Sequence, residues 1–120
     1  MNRTRFLLTS AILLAGAGCT AAGSMPDDAA ALQASVQRGH AIAEQRCAQC
    51  HAIGQTGQSP VPAAPLWREL VMIRDVDGLA ESFAEGSFVH SDGPVQMPEF
   101  TLAPAEIDDL LAYMKSLRPA

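Results

Sequence analysis

Five residues near the middle of the chain, Cys47-Ala48-Gln49-Cys50-His51, constrain it more than any other feature. On a helix or helical turn, positions i, i+3 and i+4 project from one face, so two thiols and an imidazole are presented together. The third cysteine, Cys19, lies far upstream, and three cysteines do not make an even-numbered disulfide framework. The fold must leave room for whatever these side chains hold.

Four chemistries can use such a cluster. C-x-x-C-H is the pattern of c-type haem attachment: Cys47 and Cys50 reach the two vinyl groups of one porphyrin, and His51 rises to the iron. A thioredoxin-like pair would open a helix after a strand, whereas residues 31–50 read as helix leading into the motif. Zinc could recruit the two cysteines with two of His40, His51 and His90, but no finger spacing follows. A plain Cys47–Cys50 disulfide leaves His51 without a role. Covalent attachment of one haem c is the reading that uses every residue of the motif.

The N-terminus bears on the same question. Arg3 and Arg5 precede the apolar run Phe6–Ala15, and small residues follow, which is the layout of a secretory signal over residues 1–18. The run is short of the ~20 residues of a membrane-spanning helix, which sets the signal reading above a retained anchor. Two endings are open. Ala15-Gly16-Ala17 suits an ordinary A-x-A cut. Cys19 after Ala17-Gly18 resembles a lipoprotein signal in which the cysteine carries lipid, although Gly16 stands where such signals usually have a larger aliphatic residue. Residues 19–30 read as a flexible tether in either case, and residues 31–120 as one domain. The expected location is the periplasm, soluble or lipid-anchored through Cys19.

Two of the eight basic residues, and none of the 13 acids, lie in the signal, so the mature domain is acidic. That excludes the basic stripe of a nucleic-acid binder and suits a basic partner surface. A domain of this size with 5% aromatic residues is poorly equipped to build a core unaided, and a large apolar cofactor would supply the missing bulk.

Along the mature chain Leu32, Val36, Gly39, Ile42, Ala43 and Cys47 recur at helical spacing, predicting a helix over 31–46 that ends at the motif. Its mid-helix Gly39 points to close approach by another element. Pro104 followed by Ile107, Leu110, Leu111, Met114 and Leu117 predicts a helix over 104–118, with acids at its start and Lys115 and Arg118 at its end. Ala103 offers no side-chain cap. Residues 54–65 are too rich in proline and glycine for regular structure. Leu66–Met72 reads as a short helix with Met72 in the core, and Asp75 or Asp77 caps another that pairs Leu79 with Phe83 and ends at Gly86. Residues 87–103 return to loop. With no strand pattern, the domain is all-α.

A low-spin electron carrier needs a second axial ligand, Met or His. Met97 sits in a loop, with Pro98 fixing the backbone direction after it, and is the first candidate. His90, earlier in the same loop, is its rival and would lower the reduction potential. Met25 falls in the tether, Met72 and Met114 in core positions, and His40 on the first helix.

The pieces Arg38–Ala43, Cys47–Gly54, Met97–Phe100 and Ile107–Met114, in this order, resemble the class I cytochrome c family of bacteria. The resemblance covers the chain from about residue 36 onward. It implies a cytochrome c fold: crossed N- and C-terminal helices with short middle helices around one haem, and Gly39 meeting Tyr113 or its neighbours. It further implies Met97 as distal ligand, Pro65 supporting the proximal side, and Trp67 at a haem propionate or packed on the haem edge. Arg68 near a propionate is a weaker expectation. The segment Val89–Gln96 is long for a small proteobacterial subset of the family.

The expected function is one-electron transfer between redox partner proteins, without catalytic residues of its own. A haem-based sensor of small ligands and a dedicated electron-transfer subunit of a dehydrogenase or oxidase are the alternatives.

Overall fold

The computed structural model describes residues 25–86 and 97–120. Four α-helices form: α1 Met25–Arg46, α2 Trp67–Ile73, α3 Ala80–Glu85, entered through a 3₁₀ turn at Asp77–Leu79, and α4 Pro104–Ser116. The described residues contain no strand, and the all-α reading holds. The signal segment, Cys19 and His90 lie outside the described residues. Among those described, no helix is long and apolar enough to cross a membrane.

α1 and α4 cross at Gly39, as the glycine predicts. A Cβ there would stand 1.9 Å from the Asp109 carbonyl oxygen and 2.8 Å from Tyr113 Cβ, so no side chain fits. Around this contact Arg38 grips the Asp109 carboxylate with Nε at 2.6 Å and Nη2 at 2.8 Å, and Ser35 Oγ donates to it at 2.5 Å. The Arg38 guanidinium holds the Asp109 carboxyl below the usual carboxylate range, against the opposing effect of burial. His40 stands edge-on to the Tyr113 ring, with centroids 4.9 Å apart, and beside Glu44. It is therefore a helix-crossing residue, half-buried on the side of α1 that faces α4.

Two expectations about α1 need correction. The helix starts at Met25, so residues 25–30 are helical where a tether is expected. Pro26, the acids Asp27 and Asp28 in the first turn and the run Ala29-Ala30-Ala31 all favour helix there. Leu32, assigned to the buried face, is 59% exposed. Residues 27–33 are all exposed, and burial sets in only from Ala34.

α4 begins at Pro104 as expected and stops at Ser116. Its missing side-chain cap is replaced from within the helix: Glu106 Oε2 accepts the Ala103 N–H at 2.9 Å. Its apolar stripe of Ile107, Leu110, Leu111, Met114 and Leu117 is buried. Arg118 Nε donates to the Val71 carbonyl at 3.0 Å, fastening the end of α4 to α2.

α2 is two turns long and buries Trp67 and Val71, one turn apart. Met72 points elsewhere and is 58% exposed, contrary to its expected place in the core. A helix this short has one packed face, and Met72 is not on it. Asp75 Oδ1 accepts the Asp77 N–H, Lys115 pairs with Asp77, and α3 ends at Gly86 with a left-handed φ of 71°. Leu79 is half-buried and Phe83 buried, the i, i+4 pair that the spacing predicts.

Candidate haem site

The motif continues the helical turns of α1. The Cys47 N–H donates to the Ala43 carbonyl at 2.9 Å and the His51 N–H to the Cys47 carbonyl at 2.9 Å, placing Cys47 and His51 one turn apart. Cys47 and His51 are buried and Cys50 half-buried, and the two thiols form no disulfide. Burial pushes the Cys47 thiol up to about 11, with Arg46 opposing and Cys50 adding to the effect. It is thus a thiol at neutral pH, unlike the depressed thiolate of a C-x-x-C redox enzyme. Among the described residues no group of three His, Cys, Asp or Glu side chains could hold a metal ion, which removes the basis of the zinc reading there.

The loop 54–65 folds back over the motif and fixes the imidazole. The Val61 N–H donates to the Cys50 carbonyl, the Trp67 N–H to the Ala52 carbonyl, and Ser59 Oγ accepts the Ala52 N–H at 3.0 Å. Gln55 Nε2 reaches the Leu117 carbonyl at 2.9 Å. These bonds bring the Pro65 carbonyl to 2.8 Å from His51 Nδ1. A carbonyl only accepts, so Nδ1 carries the proton and Nε2 keeps the lone pair that a metal needs.

Beside His51 lies a cavity of about 330 Å³, lined by Cys47, Pro65, Trp67, Leu70, Phe83, Met97 and Met114 among others. A smaller cavity of about 50 Å³ adjoins the motif and takes in Arg46, Cys50 and Pro98, and it shares Cys47, His51 and Met97 with the first. Met97 and His51 thus both border each of the two cavities. Its strand of loop is held by the Leu102 N–H, which donates to the Phe83 carbonyl at 2.9 Å, and by the Phe83 and Phe100 rings, 6.3 Å apart.

Trp67 is buried, with ring centroids 6.1 Å from His51 and 6.3 Å from Tyr113. Tyr113 OH donates to the Ile53 carbonyl at 3.0 Å, and burial, then Glu44, raises its pKa. Arg68 turns away: its Nη1 donates to the Gly57 carbonyl at 3.0 Å and it is not part of the cavity lining. Sequence reasoning overlooked Leu70, Arg74 and Ser82 as lining residues. Trp67, Leu70 and Arg74 follow one another at steps of three and four, a helical spacing that could have placed the first two on one face.

These residues fit a porphyrin. The lining is mainly apolar and aromatic, the Cys47 thiol borders it while Cys50 borders the adjoining cavity, and a buried imidazole offers a fixed nitrogen. The family model for cytochrome c matches residues 36–118. The chain belongs to the cytochrome c family. This cytochrome accordingly carries covalently bound haem c, and its Cys47, Cys50 and His51 fit the attachment motif. It is a haem-binding electron-transfer protein of a family that is in general not enzymatic. No curated protein and no solved structure matches the chain.

Proposed function

We propose that this cytochrome is an exported one-electron carrier, with haem linked through Cys47 and Cys50 and its iron held between His51 and Met97. The observation that carries the ligand assignment is the shared lining: Met97 borders both cavities that His51 borders. His90 remains its rival by sequence. When bound, haem c supplies the ferric–ferrous couple. The protein's part is to hold the couple in place. The Pro65 carbonyl fixes the tautomer and ring plane of His51. Trp67, Phe83 and Met114 keep water from the cavity and lower its dielectric. Trp67 serves here as packing on the haem edge.

Export is supported by Arg3, Arg5 and the apolar run after them, and Cys19 offers a lipid anchor at the membrane. The mature chain is then periplasmic and exchanges electrons with partner proteins, for which its acidic surface favours basic docking faces. The deciding experiment is a pyridine haemochrome assay on protein matured in a haem-attaching periplasm, followed by the ferric spectrum. One haem per chain and a methionine–iron charge-transfer band are expected. Rapid carbon monoxide binding by the ferrous protein without that band would overturn the carrier reading in favour of a ligand sensor. The mass of the mature N-terminus tests cleavage and lipidation at Cys19.

A further inference from the structure

The chain has one tryptophan and one tyrosine, and the fold sets them in series. Trp67 lines the cavity beside His51, with its ring centroid 6.1 Å from the imidazole. Tyr113 follows at 6.3 Å from Trp67, and His40 at 4.9 Å from Tyr113. Trp67 and Tyr113 are buried, while the His40 side chain is 46% exposed beside Glu44. A row of four rings thus runs from the motif imidazole, through α2 and α4, to the surface of α1. Packing asks only for large rings at these places. Indole and phenol also surrender an electron at moderate potential, which the phenyl ring of Phe83 on the same cavity does not. The two oxidisable rings of the chain are the two that stand between cavity and surface.

We propose that Trp67 and Tyr113 form a relay that carries an oxidising equivalent from the haem site to the surface when hydrogen peroxide is reduced there. The proposal rests on the haem site described above. Reduction of hydrogen peroxide to two waters takes two electrons and two protons. In the ferrous protein one electron comes from the iron, which becomes ferric, and the second from Trp67. Tyr113 refills Trp67 and is left as a neutral phenoxyl radical. Its phenolic proton, released from the hydrogen bond to the Ile53 carbonyl, and one proton from solvent go to the waters. A one-electron reductant of the ascorbate type then returns an electron and a proton to Tyr113 at the His40 edge. Electron tunnelling weakens exponentially with distance, so two ring-to-ring steps outrun a single direct step from Tyr113. The relay spares the cofactor by moving the damage-prone radical to a residue that solvent reductants can repair.

The test mixes ferrous holoprotein, with one haem per chain verified, with hydrogen peroxide. Radicals are read by freeze-quench electron paramagnetic resonance and located by mass mapping of nitrone spin-trap adducts. Met97→Ala holoprotein is run beside wild type, because losing that side chain opens the site to peroxide. A phenoxyl signal and an adduct at Tyr113 are expected, and ascorbate removes both. Trp67→Phe loses most of the Tyr113 adduct, whereas Trp67→Tyr, which keeps an oxidisable ring, restores it. A purely structural role for Trp67 would make the two variants alike. An undiminished Tyr113 adduct in Trp67→Phe, equal losses in both variants, or no radical on either ring in wild type and Met97→Ala overturns the relay. If the Trp67 variants do not mature, Tyr113→Phe carries the test: the radical then stays on Trp67, and its absence there overturns the proposal. Wild-type protein without haem would overturn the haem site itself, an outcome visible before any peroxide is added.

Discussion

Gly39 on α1 and Asp109 on α4 meet so closely that the carbonyl of one occupies the space a side chain on the other would need. Helix propensity alone favours alanine at position 39 by about 1 kcal/mol. The crossing reverses that preference. Gly39→Ala is expected to destabilise the protein by at least the ~1–3 kcal/mol of an overpacked core, because the neighbour is backbone and cannot rotate away. Urea unfolding of the holoprotein checks the sign. A gain in stability would mean that the helices are further apart.

The Asp109 carboxylate sits at the same crossing, 13% exposed, while its partner Arg38 is 60% exposed. Its pKa is lowered in the folded state, chiefly by the Arg38 hydrogen bonds. The stability it supplies is therefore present above the unfolded carboxylate pKa of about 3.9 and is lost as pH falls from there through the lowered folded value. Asp109→Asn should be less stable than wild type at neutral pH, and the gap should narrow in acid. Denaturation curves at the two pH values measure it.

Tyr113 behaves in the opposite sense. Burial raises its pKa, so the neutral phenol is favoured in the fold, and the advantage persists below the unfolded pKa of about 10 and disappears as pH rises through the raised folded value. Tyr113→Phe leaves the Ile53 carbonyl without its donor and should cost about 1 kcal/mol at neutral pH. A phenol that titrates in the folded protein at its ordinary pH would contradict this reading.

Met97 gives the sharpest spectroscopic prediction. Met97→Ala should abolish the methionine–iron charge-transfer band and admit carbon monoxide to the ferrous protein, while haem attachment persists. Met97→His should remain low-spin at a lower potential. A Met97→Ala protein with an unchanged spectrum would transfer the ligand role to another residue, His90 first.

Much of this was legible from spacing. The motif, the two long helices, the glycine at their crossing and the left-handed stop at Gly86 follow from short-range rules, because each depends on residues three or four apart or on a single backbone requirement. What escaped depends on where one element ends relative to another. Leu32 keeps the period of α1 but precedes the point at which burial sets in, and Met72 is apolar on a helix with only one packed face. Periodicity reports which residues share a face and not whether anything covers it. Arg74 was missed for a related reason. It lines a cavity assembled from the turns of the motif, α2, the 3₁₀ turn, α3, α4 and loop residues, and no local pattern records that meeting.

The cavity beside His51 has a consequence for how the protein is made. Its 330 Å³ lies against the buried cluster that holds the helices together. Without haem, the apolar side chains that line it stand in water, at a cost of roughly 25 cal/mol for each Å² of apolar surface left uncovered. A chain that misses its cofactor is therefore expected to be less stable and more open to proteolysis. Attachment at Cys47 and Cys50 is then also the step that completes the core.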